Sequence, residues 1–283
     1  MTELNTNKSR TDRAWSKLYD RLEQDDLLVR PQKKMQGVYM TRTKWGAVAA
    51  VVAIGLFYLG TLLFPNQDMT QLMAVVEQTN TEKSVLVKTL EDGSVVYLAG
   101  QASLEYPEHF AHNKRVVNLN GDAYFDISKN KLRPFFIETK EAQIKVLGTA
   151  FNVQTNLNGT FSLSVERGRV LVSLKQDNSA VQVSAGQTVT VRDNRLLVGI
   201  NDRVSFDRYK QHIRFKDESL ENVLRIINTN ASDGKILMAN PAIGKRRLTV
   251  EFSESSPQTV SELVRLALNL KCTRTSNTFV LSE

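Results

Sequence analysis

Residues able to do chemistry are sparse in this 283-residue chain. Of its three histidines, His109 and His112 form an HxxH in a polar loop after Pro107. A zinc site would need a third ligand and helical spacing, and the surrounding sequence offers neither, so no metal is expected. Cys272 is the single cysteine, which excludes an internal disulfide and every cysteine-rich metal or redox motif. No histidine stands near it in sequence, and it reads as a small packing residue at the start of a strand. Ser94 belongs to Asp92-Gly93-Ser94 between two apolar runs, a hairpin turn in which Gly supplies a positive φ, not a nucleophile. The sequence holds no P-loop, GxGxxG, GxSxG, HExxH or kinase block. These residues describe a binding protein rather than an enzyme, with no cofactor.

The elements that would position such residues are divided by one apolar run. Trp45 to Phe64 is twenty residues without a charge, enough at about 1.5 Å per residue to cover the roughly 30 Å hydrocarbon layer of a bilayer. The run follows 44 polar residues and lacks an evident cleavage site, so a membrane span is expected instead of a signal peptide. Arg30, Lys33, Lys34, Arg42 and Lys44 flank it on one side without an acid between Leu27 and Lys44, which places the N-terminus in the cytoplasm and the C-terminus in the periplasm. Of the formal charge of +7, residues 1–44 carry +4, from 10 basic and 6 acidic side chains. A nucleic-acid surface would concentrate charge on a folded face, so direct nucleic-acid binding is set aside.

Before the apolar run, Trp15, Leu18, Tyr19 and Leu22 fall at i, i+3, i+4 and i+7, one stripe of a helix. An isolated helix this short cannot bury its own stripe, and a partner protein completes the pattern; resting on lipid headgroups is the alternative. Beyond residue 84 the pattern changes to short alternating runs such as SVLVKTL, VVYLAG, RVVNLNG, AYFDIS, QIKVLG and GRVLVSL, punctuated by Gly93, Gly121, Gly148 and Gly168. This predicts an all-β unit over 85–200, either sandwich or solenoid. From 211 onward two strand-helix-strand patterns follow, with Ser219 and Ser256-Pro257 as helix starts. The expected fold is multi-domain: a cytoplasmic helical arm (1–44), one transmembrane helix (45–64), a linker (65–84), the β domain (85–200) and a small α/β domain of two β-α-β units (211–283).

The blocks LEDGSVVYLAGQASLEYPEHF, NLNGDAYFDISKNKLRPFFIET, IKVLGTAFNVQTN, VERGRVLVSL and VSAGQTVTV resemble the periplasmic domain of the FecR family of anti-sigma factors in order, spacing and residue type. Tyr124, Phe125 and Arg133-Pro134-Phe135 belong to that likeness and read as packing anchors. The C-terminal pattern is similar to the secretin and TonB short N-terminal domain that accompanies FecR in Bacteroidetes-type members. The resemblance implies a relay: a TonB-dependent outer-membrane transducer, SusC-like or siderophore-specific, signals through its periplasmic domain, and the arm controls an ECF-type sigma factor through Trp15, Leu18, Tyr19 and Leu22. An intramembrane protease is implied among the routes of release. The stimulus it implies is a glycan or an iron chelate.

Some members that the chain resembles cleave themselves at a Gly-Thr bond, which corresponds to Gly148-Thr149. The Thr149 hydroxyl would attack the Gly148 carbonyl and convert an amide to a labile ester. A tight turn that needs glycine accounts for the same two residues. A different function for the whole chain, an envelope scaffold using the secretin-like module with no sigma partner, is the alternative to the relay.

Overall fold

The computed structural model describes residues 74–155, 161–200, 206–253 and 256–283, together with Ser16, Lys17 and Gly55. Strands dominate because β-branched and aromatic residues recur in short runs between turn residues. One sheet runs in the order β1 (Val75–Thr79), β4 (Ser103–Pro107), β5 (Arg115–Asn120), β7 (Phe135–Glu138), β8 (Ala142–Val146), β11 (Arg169–Leu174) and β12 (Ala180–Ser184). A second, nine-stranded sheet runs β14 (Arg195–Ile200), β13 (Gln187–Arg192), β10 (Phe161–Arg167), β9 (Ala150–Thr155), β6 (Ala123–Asp126), β3 (Val95–Leu98), β2 (Val85–Thr89), β15 (Ile213–Ser219) and β17 (Arg247–Phe252). The third holds β16 (Lys235–Met238), β19 (Thr278–Ser282) and β18 (Lys271–Thr275).

The first two sheets share a core. Leu104, Val117, Phe135, Ile144 and Val172 from one face Leu86, Val96, Phe125, Phe151 and Leu163 from the other, all buried. The arrangement is a sandwich, which decides between the two β architectures the pattern left open. The nine-stranded sheet is covered on its opposite side as well. Val85, Val87, Val95, Tyr97, Tyr124 and Ala150 project from it into a second core with Ile213, Phe215, Val223, Ile227, Val260 and Val264. Double coverage explains why all four residues of β3 are buried and why β2 begins with three buried residues, where a one-sided strand would alternate.

The helices that close this second core are α1 (Leu220–Asn230) and α2 (Pro257–Leu268). Ser219 caps α1 by accepting from the Asn222 amide at 3.3 Å, and Ser256 caps α2 by accepting from the Thr259 amide at 3.3 Å. α2 ends at Asn269, whose φ of 51° makes the left-handed stop.

Two points correct the expected fold class. The described residues are mostly β with two α-helices, and no helix among them is long and apolar enough to cross a membrane. The expected arm and transmembrane helix fall on residues 1–64, of which only Ser16, Lys17 and Gly55 are described. Second, the C-terminal segment is not a free-standing α/β domain of two β-α-β units. The strand that precedes each helix, β15 and β17, joins the nine-stranded sheet, while β16 pairs with β19 in another sheet. The physical reason is the open edge of β2. β15 pairs with it in parallel, Ile213 opposite Val85 and Phe215 opposite Val87, and the Val85 amide donates to the His212 carbonyl at 2.9 Å. Residues Gln71–Glu283 accordingly form one compact unit.

Polar groups fix this seam. Arg214 Nη1 lies 2.5 Å from Glu82 Oε1, and its Nη2 donates to Asn80 Oδ1 at 3.2 Å. Asn80 is fully buried and donates to the carbonyls of Ser84 and Leu98 at 2.8 and 3.0 Å. Glu218, also buried, accepts from the Thr89 amide at 3.4 Å and from Asn222 Nδ2 at 2.9 Å, with Lys88 Nζ at 3.7 Å. Asn230 of α1 donates to the Tyr97 hydroxyl at 3.2 Å. Burial pushes the Tyr97 phenol up to about 12 against that hydrogen bond, so it stays neutral.

Candidate functional site

Gly148 and Thr149 sit where three turns meet. The Asn130 amide donates to the Leu147 carbonyl at 2.8 Å and the Ile127 amide to the Thr149 carbonyl at 3.0 Å, which staples residues 127–130 to 147–149. Gly148 has φ +145°, and a Cβ there would lie 2.5 Å from the Cα of Lys129. Backbone geometry and packing therefore both require glycine. Thr149 is buried and its hydroxyl donates to the Arg169 carbonyl at 2.9 Å. Gly168 stands over the pair; a Cβ on it would come within 3.0 Å of Thr149 Oγ1 and 3.3 Å of the Gly148 carbonyl oxygen. The turn and the hydroxyl next to the Gly148 carbonyl thus occupy one tightly packed position.

The adjoining hairpin is held by its own side chains. Asp92 Oδ1 accepts from the Ser94 amide at 3.1 Å, and the Ser94 hydroxyl donates to Asp92 Oδ2 at 2.7 Å. That hydroxyl also accepts from the Ser128 amide at 3.0 Å, so it is committed to the turn. Asp92 in turn holds Arg115 Nη1 at 2.5 Å. Arg115 is 1% exposed, donates to the carbonyls of Ser128 and Arg133 at 3.1 and 2.9 Å, and lies 5.2 Å from the Phe135 ring centre. Sequence reasoning missed Arg115, because an arginine opening the strand RVVNLN has no local sign of burial. Arg133 and Phe135 are the anchors expected of them, Arg133 through the Phe110 and Ala111 carbonyls at 3.3 and 3.0 Å.

Around these turns opens a cleft of about 440 Å³, lined by Asp126, Lys129, Gly148, Arg167, Gly168 and, from α1, Arg225 among others. Arg167 Nη2 donates to Asp126 Oδ1 at 2.7 Å. Arg225 reaches the cleft because the second core lays α1 against the nine-stranded sheet.

The other candidates fall elsewhere. His109 is exposed and pairs with Glu91 Oε2 at 2.9 Å, while Glu91 Oε1 accepts from the Phe110 amide at 2.5 Å. Burial opposes it, but the Phe110 amide and His109 hold the Glu91 carboxyl below its ordinary range, and the same hydrogen bond holds His109 above the usual histidine range. His112 is exposed, and Cys272 is half-buried in β18 opposite Leu281. The arm residues Trp15, Leu18, Tyr19 and Leu22 all lie outside the described residues.

A family model for FecR protein matches residues 76–171, from β1 to β11, and so contains Asp92, Arg115, Gly148 and Thr149. No curated protein matches the chain. Among solved structures, two crystal structures of a candidate anti-sigma factor from Parabacteroides distasonis are 21% identical to it, covering 74% of this chain and 99% of theirs, with TM-scores of 0.46 and 0.45. Residues 76–171, which run through the sandwich, therefore match the FecR protein family and form a FecR domain in this chain.

Proposed function

We propose that the chain binds an ECF-type sigma factor through residues 1–44 and controls it in response to a signal received by the outer unit from a TonB-dependent outer-membrane receptor. It sits in the inner membrane with its N-terminus in the cytoplasm and its C-terminus in the periplasm. The observation that carries this is the FecR domain at 76–171, preceded in the same chain by the stripe Trp15, Leu18, Tyr19, Leu22 and by a basic flank beside twenty uncharged residues. Localisation is supported by that charge pattern alone. The receptor contact is supported by the family, and release of the arm by an intramembrane protease belongs to the same reading.

The stripe sets the size of the effect. Each large apolar side chain contributes about 1.5–3 kcal/mol when fully buried, so losing two of four weakens a complex by roughly 100-fold or more. Residues 1–44 fixed to a resin are expected to capture a sigma factor from a lysate of the native cells, and the Trp15→Ala, Leu22→Ala double variant to lose it. Absence of any sigma factor among the captured proteins, or equal capture by both forms, ends this reading.

A further inference from the structure

The cleft beside Gly148 has a charge that the turns do not require. Lys129, Arg167 and Arg225 converge on it from three separate elements: the loop after β6, the end of β10 and helix α1. Asp126 is the one acid of the lining, and it is paired with Arg167 at 2.7 Å. That pair fixes Arg167 in place. Lys129 and Arg225 are exposed and form no ion pair with any described residue.

Gly93, Gly148 and Gly168, all at positive φ, line the cleft beside Val95, Ile127 and Ser128 and add no side chain to it. At about 440 Å³ the space is in the range of clefts that hold an organic ligand and is far larger than one water or small ion fills. Three cations spread over separate elements suit several negative groups along an extended chain better than one compact anion. A cleft whose lining carries an excess of positive charge also raises the local concentration of negative groups.

We propose that this cleft binds carboxylate side chains of an acidic peptide segment belonging to a partner protein, with Lys129 and Arg225 as the cations that hold them and Arg167 as a fixed third. The site straddles the FecR domain and α1, so a peptide seated there touches both parts of the outer unit at once. This goes beyond the sigma-factor reading and stands apart from it, since neither residues 1–44 nor any sigma factor enters the argument.

The test uses the full chain in neutral detergent and a fluorescein-labelled hexa-aspartate peptide, read by anisotropy near physiological salt. Hexa-aspartate is expected to bind while hexa-asparagine does not. Lys129→Gln and Arg225→Gln are each expected to weaken binding roughly fivefold, and the double variant roughly twentyfold or more, as charge-assisted contacts on a partly open surface do. Lys83→Gln removes the same charge outside the cleft lining and is expected to leave the affinity within twofold. The proposal is overturned if hexa-aspartate does not bind, if Lys83→Gln weakens it as much as the cleft variants, or if millimolar inorganic phosphate displaces it completely. That last outcome reassigns the cleft to free anions.

Discussion

A chain ended at Ile200 is expected to lose its stable fold although the whole FecR match is retained. Ending it there strips the second core from the nine-stranded sheet and exposes Val85, Val87, Val95, Tyr97 and Tyr124, each now less than a tenth exposed. At about 1.5–3 kcal/mol per buried side chain, five of them represent on the order of 7–15 kcal/mol of gross stabilisation, as large as the entire net stability of an ordinary domain. β2 would also become an open, apolar edge without β15, a template for aggregation. Residues 74–200 are therefore expected to elute as aggregates, or to melt more than roughly 10 °C below residues 74–283. A monomer of 74–200 with the melting temperature of the longer chain would contradict the shared-sheet account.

The second large effect is expected at a single position. Asp92→Ala removes the one carboxylate among the described residues that pairs with Arg115, whose guanidinium is buried among Ser128, Arg133 and Phe135. An uncompensated buried charge costs about 3–5 kcal/mol, well beyond what an exposed ion pair contributes. The hairpin loses its closure at the same time, because Asp92 also accepts from the Ser94 amide and hydroxyl. Denaturant unfolding of the outer unit should report that loss, and Arg115→Met added to Asp92→Ala should recover part of it by removing the stranded charge. A single variant within about 1 kcal/mol of the parent would mean that the network is not structural.

What the sequence made legible was local. Gly93 and Gly148 mark turns because the chain there requires positive φ, and both take it. Ser219 and Ser256 mark helix starts because a side-chain oxygen must satisfy the first amides, and both do. What it concealed depends on partners far along the chain. Thr89 meets Glu218 across 129 residues, so nothing near β2 says that a C-terminal strand will occupy its edge. The runs SVLV and VVYL did carry a sign, since an unbroken apolar strand is covered on both faces, but not the identity of the cover. Arg115 and Asp92 lie 23 residues apart, each in a context that suits an exposed charge. Arg225 reads as the polar side of an amphipathic helix, and only the docking of α1 brings it beside Gly148. Of the candidate site, then, the Gly-Thr turn was legible and the charged walls around it were not.

The claim on which the rest depends is that the FecR domain and the C-terminal segment open and close together. Native-state hydrogen exchange measures this directly, since amides in one cooperative unit share one opening free energy. The Val85 and Phe215 amides of β2 and β15, and those of α1, are expected to exchange with the same opening free energy as Val96 of β3 and Phe151 of β9. Exchange of β15, β17, α1 and α2 through a separate opening of lower energy, while β2, β3 and β9 stay protected, would contradict it.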